Sequence, residues 1–147
     1  MSYIISTFHC FSVKLHIIAD HIQFSLKPER SNIHISDNIS ATMVKSCNTL
    51  AEIKQEIMVA GDRLIVIDFF ADWCPPCRIM SPEFEKLAFE EKDVVFLEVN
   101  IAVNPEAADR FYINALPTFI FIKDGAMVDE VLGAKVDKLK ETINKNK

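Results

Sequence analysis

Apolar and polar residues follow a regular pattern only in the second part of the chain. From residue 43 onwards, short apolar runs are separated by segments with helical periodicity, whereas residues 1–42 lack this order and end in a polar, turn-rich stretch. We therefore predict a folded domain over residues 43–147 and an N-terminal extension over residues 1–42 that is poorly ordered or weakly packed. The extension is either an adaptor or targeting segment, or a dispensable tail ahead of a second potential start at Met43.

Within the domain, the apolar runs predict strands and the periodic segments predict helices. Residues 64–70 are nearly all apolar, which is typical of a central strand covered on both faces. A capping box of Thr49 and Glu52 opens the helix before it, and Asp124-Gly125 predicts a hairpin between the last two strands. The other predicted strands are residues 43–47, 94–99, 118–123 and 127–132, and the other helices begin at Pro75, Pro105 and Val136. This order, βαβαβαββα, predicts an α/β fold whose central mixed β-sheet is flanked by helices on both faces.

Cys74 and Cys77 directly follow the predicted central strand, at the edge of the sheet where such folds carry their sites. Two thiols three positions apart at a helix start lie within bonding reach, and the first one faces the unpaired N–H groups of the helix. That environment favours a thiolate, which is the form that attacks a disulfide. We interpret the pair as a redox-active disulfide with Cys74 as nucleophile and Cys77 as resolving thiol.

Spacing alone leaves two other interpretations of this pair open. The same spacing forms half of a zinc site, but Cys10 and Cys47 stand alone and all four histidines fall within the first 34 residues. A purely structural disulfide is the other alternative, although closing so short a loop stabilises a fold little.

Asp68 breaks the apolar pattern of the predicted central strand. An unpaired carboxylate in the dry middle of a sheet is costly, and its pKa tends to rise. Asp68 is therefore either a functional acid or an aspartate near the strand end that reaches solvent.

Charge and composition exclude several classes of function. The net charge is -5 and no basic run occurs, so we expect no binding to nucleic acid or to a membrane. No apolar run approaches the roughly 20 residues that span a bilayer, which predicts a soluble protein. One close cysteine pair among four cysteines favours a reducing compartment, so we expect a cytoplasmic protein. A mitochondrial or secreted form follows only if the extension is a targeting segment.

Three stretches together resemble the thioredoxin family. They are residues 68–78 (DFFADWCPPCR), residues 116–119 (LPTF) and residues 123–125 (KDG), and the resemblance covers residues 43–147. Residues 95–99 (VFLEV) and 133–134 (GA) resemble the animal branch of that family. The resemblance implies the thioredoxin fold and a protein-disulfide reductase that maintains cell redox homeostasis.

The resemblance also implies roles for individual residues. Cys74 would attack, Cys77 would resolve, and Asp68 would match a buried acid that exchanges protons with Cys77. Pro117 would be a cis-proline beside the disulfide, which lets the backbone of Leu116 pair with a substrate chain. The surface that receives the partner is implied to comprise Trp73, Pro76, Leu116, Pro117, Thr118, Gly133 and Ala134. Trp73 could instead be simple packing.

Cofactors and partners follow from the same resemblance. It implies no metal and no bound cofactor, and electron transport from NADPH through thioredoxin reductase. The implied substrates are disulfide-containing proteins such as peroxiredoxin, ribonucleotide reductase and methionine sulfoxide reductase. Three alternatives stay open: a disulfide oxidase or isomerase in a secretory compartment, a binding module that acts without thiol chemistry, and a metal-bridged dimer.

The sequence departs from the family pattern at four positions. Pro75 stands at a glycine position of the usual motif, which predicts a changed redox potential. Asn100 and Ala102 stand where relatives commonly carry acids, and Glu98 stands where bacterial members often have lysine. Outside the motif, we interpret Cys47 as a small buried hydrophobic residue, with linkage to glutathione or to a second chain as a minor alternative.

Overall fold

The computed structural model describes residues 43–147. The predictions made for residues 1–42, including Cys10 and the four histidines, lie outside the described residues. Five strands and four helices make up the described chain: β1 (Val44–Ser46), α1 (Leu50–Ala60), β2 (Ile65–Phe70), α2 (Pro75–Glu90), β3 (Val95–Asn100), α3 (Pro105–Arg110), β4 (Thr118–Lys123), β5 (Ala126–Leu132) and α4 (Val136–Asn146). The predicted order is confirmed, and the boundaries differ from the predicted ones by one or two residues.

Local interactions explain where several elements begin and end. The Thr49 hydroxyl accepts the backbone N–H of Glu52 at 3.2 Å, and the Glu52 carboxylate accepts the N–H of Thr49 at 3.2 Å, which confirms the capping box. Gly61 follows α1 with a φ of 64°, a conformation that glycine adopts without steric cost. Asp124 and Gly125 both have positive φ, 52° and 73°, as a two-residue hairpin turn between β4 and β5 requires.

The sheet has the strand order β1-β3-β2-β4-β5. Strand β2 pairs in parallel with β3 and antiparallel with β4, so the sheet is mixed and β2 lies at its centre. Every residue of β2 except Phe70 is buried, as the nearly continuous apolar run predicts.

Alternate side chains of the central strands belong to two separate hydrophobic cores, one on each face of the sheet. On one face, Val66 and Phe119 pack with Met80 and Phe84 of α2, together with residues of α4. The opposite face packs against α1 and α3, through residues that include Ile65, Ile67, Leu97, Ile53 and Ala107. Helices therefore cover both faces, which confirms the predicted fold class. No helix within residues 43–147 combines the length and the apolar character that a bilayer crossing needs.

Candidate active site

Cys74 and Cys77 form a disulfide at the start of α2, with their Cα atoms 5.4 Å apart. Cys74 is the N-cap of the helix, and its sulfur accepts the backbone N–H of Cys77 at 3.3 Å. Pro75 and Pro76 occupy the first two helical positions and carry no N–H, so Cys77 is the first residue of the helix that can donate to the cap. After reduction, this N–H and the positive end of the helix favour a thiolate at Cys74.

Both sulfurs lie in a small buried cluster at the carboxyl edge of the sheet. Cys74 and Cys77 are each 3% exposed, and they pack with Ala71 and with the partly buried Ile101 and Leu116. Both sulfurs are therefore reached through a restricted opening rather than from open surface.

A groove of about 390 Å³ leads to Cys74. Three separate segments line it, and none of the lining side chains is charged: Trp73, Cys74, Pro75, Pro76, Ile101, Ile113, Asn114, Ala115 and Leu116. Trp73, Pro76 and Leu116 belong to the surface that the family resemblance implies. Ile101 and residues 113–115 do not, and the one sequence signal for Ile101 is that it follows β3 at the edge where Cys74 follows β2.

The segment beside the groove contains the predicted cis bond. The Leu116–Pro117 peptide is cis, and the N–H of Gly133 donates to the Pro117 carbonyl at 2.8 Å. The Thr118 hydroxyl donates to the carbonyl of Ala115 at 2.8 Å, and Thr118 is buried. Gly133 therefore contacts Pro117, and the Thr118 side chain braces the turn before it.

Two further residues of the predicted surface lie exposed. Trp73 is 68% exposed, which excludes simple packing as its role. Ala134, which follows Gly133, is exposed as well.

Asp68 is buried at 4% exposure, so the alternative of a strand-end aspartate that reaches solvent is wrong. It shares the sheet face of Val66, which α2 covers, and α2 is the helix that carries Cys77. Burial first, and then the charge of Glu98, its neighbour on β3, raise the pKa of Asp68 from 3.8 to about 7. One carboxylate oxygen of Asp68 has no hydrogen-bond partner within residues 43–147.

Glu98 and Cys47, two further groups near the sheet, have different surroundings. Partial burial raises the pKa of Glu98, while a hydrogen bond with Ser46 opposes that rise. Cys47 is 1% exposed and unpaired, and burial followed by the charge of Glu56 raises the pKa of its thiol to about 11. Cys47 is thus the small buried hydrophobic residue that we predicted.

No group of three or more His, Cys, Asp or Glu side chains within residues 43–147 could hold a metal ion. In the structure, Cys74 and Cys77 are bonded to each other as a disulfide.

Comparisons with known proteins agree with this geometry. The family model described as Thioredoxin matches residues 44–145. Thioredoxin of Geodia cydonium is 44% identical over 106 residues, which are 71% of this chain and 100% of that protein. Thioredoxin of Gallus gallus is 42% identical over 101 residues, which are 69% of this chain and 96% of that protein. The X-ray structure of Fasciola hepatica thioredoxin superposes with a TM-score of 0.70 at 46% identity, over 70% of this chain and 99% of that one.

Proposed function

Because this chain belongs to the thioredoxin family and is a protein-disulfide reductase, we propose that Cys74 attacks the substrate disulfide and Cys77 resolves the intermediate. The observation that carries this assignment is the hydrogen bond from the Cys77 N–H to the Cys74 sulfur, at the end of a groove. It singles out Cys74 as the sulfur whose thiolate the helix stabilises.

The reaction proceeds through two exchanges. The Cys74 thiolate attacks one sulfur of the substrate disulfide; a Cys74–substrate bond forms, the substrate S–S bond breaks, and the leaving sulfur takes up a proton. Cys77 then loses its proton and attacks the sulfur of Cys74. The second substrate sulfur leaves as a thiolate, the Cys74–Cys77 disulfide forms, and the substrate has gained two electrons.

We assign Asp68 the role of the group that takes the proton of Cys77, directly or through water. Its pKa of about 7 means that roughly half of the molecules hold the proton at neutral pH, so Asp68 can both accept and return one. Its position beneath the helix that carries Cys77 supports this role.

The groove is proposed to receive an extended segment of the partner protein. Leu116 lies in the groove lining, and its backbone is proposed to pair with this segment as a strand would, with the exposed Trp73 and Ala134 as further contacts. Pro76, Thr118 and Gly133 complete the proposed surface. We propose the same substrates as above: peroxiredoxin, ribonucleotide reductase and methionine sulfoxide reductase.

Thioredoxin reductase is proposed to return electrons from NADPH to the Cys74–Cys77 disulfide, in a reducing compartment such as the cytoplasm. We further propose that the domain spans residues 43–147, that residues 1–42 are an extension outside the chemistry, and that the domain is of the animal type. The variant residue Pro75 is proposed to shift the redox potential. A glutathione redox titration of Pro75→Gly beside the wild type tests this last point, and identical midpoints would reject it.

The function is tested by NADPH-coupled reduction of insulin in the presence of thioredoxin reductase. We expect the chain starting at Met1 and a chain starting at Met43 to be equally active, and Cys74→Ser to be inactive. Activity retained in Cys74→Ser would instead favour a binding module that acts without the thiol. A wild type that is folded but inactive, and that oxidises reduced substrates, would favour the oxidase or isomerase alternative.

A further inference from the structure

Asn100 uses both ends of its side-chain amide to connect two loops. Its Nδ2 donates to Oδ2 of Asp72 at 3.0 Å, and its Oδ1 accepts the backbone N–H of Ala102 at 3.0 Å. Asn100 is the last residue of β3, and its register partner is Phe70, the last residue of β2. The link therefore joins the two chain segments that leave the sheet side by side at its carboxyl edge.

Chemistry determines the orientation of this amide. A backbone N–H can only donate, so the atom that faces Ala102 must be the oxygen of Asn100. The NH2 group then faces Asp72, whose carboxylate accepts. Beside the Asp72 carboxylate, the two contacts together require an amide at position 100, because a carboxylate there would bring two acceptors together.

The two linked loops form two walls of the groove. The first is the turn of residues 71–74, which the N–H of Cys74 closes by donating to the Ala71 carbonyl at 3.1 Å, with Asp72 and Trp73 as its central residues. The second is the turn after β3, in which Asn104 donates to the Asn100 carbonyl at 2.9 Å. Ile101 of the second turn and Trp73 of the first both line the groove.

We propose that Asn100 is a positioning residue for the reduction of protein disulfides: its link to Asp72 holds the Trp73 wall and the Ile101 wall of the groove in a fixed relation. This inference rests on the proposed role of the groove in binding protein substrates. Asn100 does not touch the sulfurs, and the hydrogen bond from the Cys77 N–H to Cys74 lies within α2 and its cap. Small disulfides, which need no groove, therefore react independently of the link.

Three variants of the full chain distinguish the effect of losing the hydrogen bonds from the effect of changing the charge. Asn100→Asp keeps the acceptor for Ala102 but sets a second carboxylate beside Asp72. Asn100→Ala removes both bonds without adding a charge. The exchange variant Asp72→Asn/Asn100→Asp restores a donor and an acceptor in reversed order, and it has the net charge of the wild type.

The first measurement is the rate constant with which each pre-reduced variant reduces insulin, compared with that for hydroxyethyl disulfide. We expect Asn100→Asp and Asn100→Ala to reduce insulin at least about fivefold more slowly, because each loses the hydrogen bond to Asp72, and the exchange variant to return to within about twofold of the wild type. Rates with hydroxyethyl disulfide are expected to stay within about twofold throughout. Equal losses on both disulfides, or a normal insulin rate in Asn100→Ala, would overturn the proposal.

The second measurement tests the link without any substrate. Trp73 is the single tryptophan of the chain, so the decay of its fluorescence anisotropy reports the mobility of the first wall. We expect a faster decay in the two single variants and the wild-type decay in the exchange variant. Identical decays in all four proteins would overturn the proposal. A wild type that reduces hydroxyethyl disulfide but not insulin would refute the role of the groove, and the anisotropy would still decide whether the link exists.

Discussion

Cys47 and Cys74 are equally buried and each follows a strand of the same sheet, yet their thiols have opposite surroundings. Cys47 is 1% exposed and directly follows β1, whereas Cys74 is 3% exposed and lies shortly after β2. Cys74 is the N-cap of its helix and accepts an N–H, whereas the helix after Cys47 is capped by Thr49. The position of the cap, rather than the degree of burial, decides which thiol can ionise.

The charges around the two thiols strengthen this contrast. Cys47 packs among apolar residues, and this burial, followed by the charges of Glu56, Glu52 and Glu98, raises its pKa to about 11. The groove beside Cys74 has no charged side chain in its lining. Of these two cysteines, Cys74 is the one whose sulfur accepts a helix N–H, whereas burial and nearby carboxylates oppose the ionisation of Cys47.

The largest expected effect is on the alkylation of the reduced protein by iodoacetamide at neutral pH. With a pKa of about 11, Cys47 is a thiolate in roughly one molecule in ten thousand at pH 7, and it is also buried. We expect Cys74 to be modified at least ~1000-fold faster than Cys47, as measured by mass spectrometry of the peptides. In guanidinium chloride, Cys74 and Cys47 should react at similar rates. Similar rates in the native protein would contradict the proposed difference between the two thiols.

The second effect concerns Asp68, the acid assigned to the Cys74–Cys77 region. Between its ordinary pKa of 3.8 and its native pKa of about 7, the native state keeps a proton that the unfolded chain has released. The free energy of unfolding therefore falls as the pH rises through this window. In Asp68→Asn this fall is absent, because the amide does not titrate. We expect Asp68→Asn to be more stable than the wild type by up to about 4 kcal/mol near pH 8 and equally stable near pH 3.

Urea denaturation at both pH values measures this difference. The same variant is expected to reduce insulin more slowly at neutral pH, because Asp68 is the proton acceptor that we propose for Cys77. A stability gain that does not depend on pH would show that Asp68 is ionised in the native state. A gain in stability with unchanged activity would show that Asp68 takes no part in the reaction.

The smallest effect concerns Glu98, which influences both regions. Its charge raises the pKa of Asp68 and, as a minor cause, that of Cys47, whose N–H donates to the Glu98 carbonyl at 2.9 Å. Glu98→Gln is expected to lower both pKa values, that of Asp68 more than that of Cys47. NMR titration of the Asp68 carboxyl and the pH profile of Cys47 alkylation measure these shifts.

Glu56→Gln serves as the matched control for this variant. Glu56 lies on α1, which covers the opposite face of the sheet from Asp68, and its charge is a larger cause of the raised pKa of Cys47 than that of Glu98. We expect it to lower the pKa of Cys47 and to leave the titration of Asp68 unchanged. If Glu98→Gln left both titrations unchanged, Glu98 would not connect the two regions.

Local sequence signals predicted the elements with small errors at their ends. The capping box of Thr49 and Glu52, the hairpin at Asp124-Gly125 and the prolines that open α2 and α3 involve residues at most three positions apart. Such interactions are local: the backbone conformation of a few neighbouring residues is sufficient to form them. The cis bond at Pro117 was expected only from the family resemblance, since few X-Pro bonds are cis.

The sequence by itself determined the order of the elements, the central position of β2 and the identity of the reactive cysteine pair. Only the tertiary structure decided that Glu98 lies beside Asp68, that Ile101 and Ile113 complete the groove, and that Asn100 bonds to Asp72, which is 28 residues away. These contacts depend on strand register and on which loops meet at one edge of the sheet. No pattern within a single segment contains that information, because it arises when distant segments pack against one another.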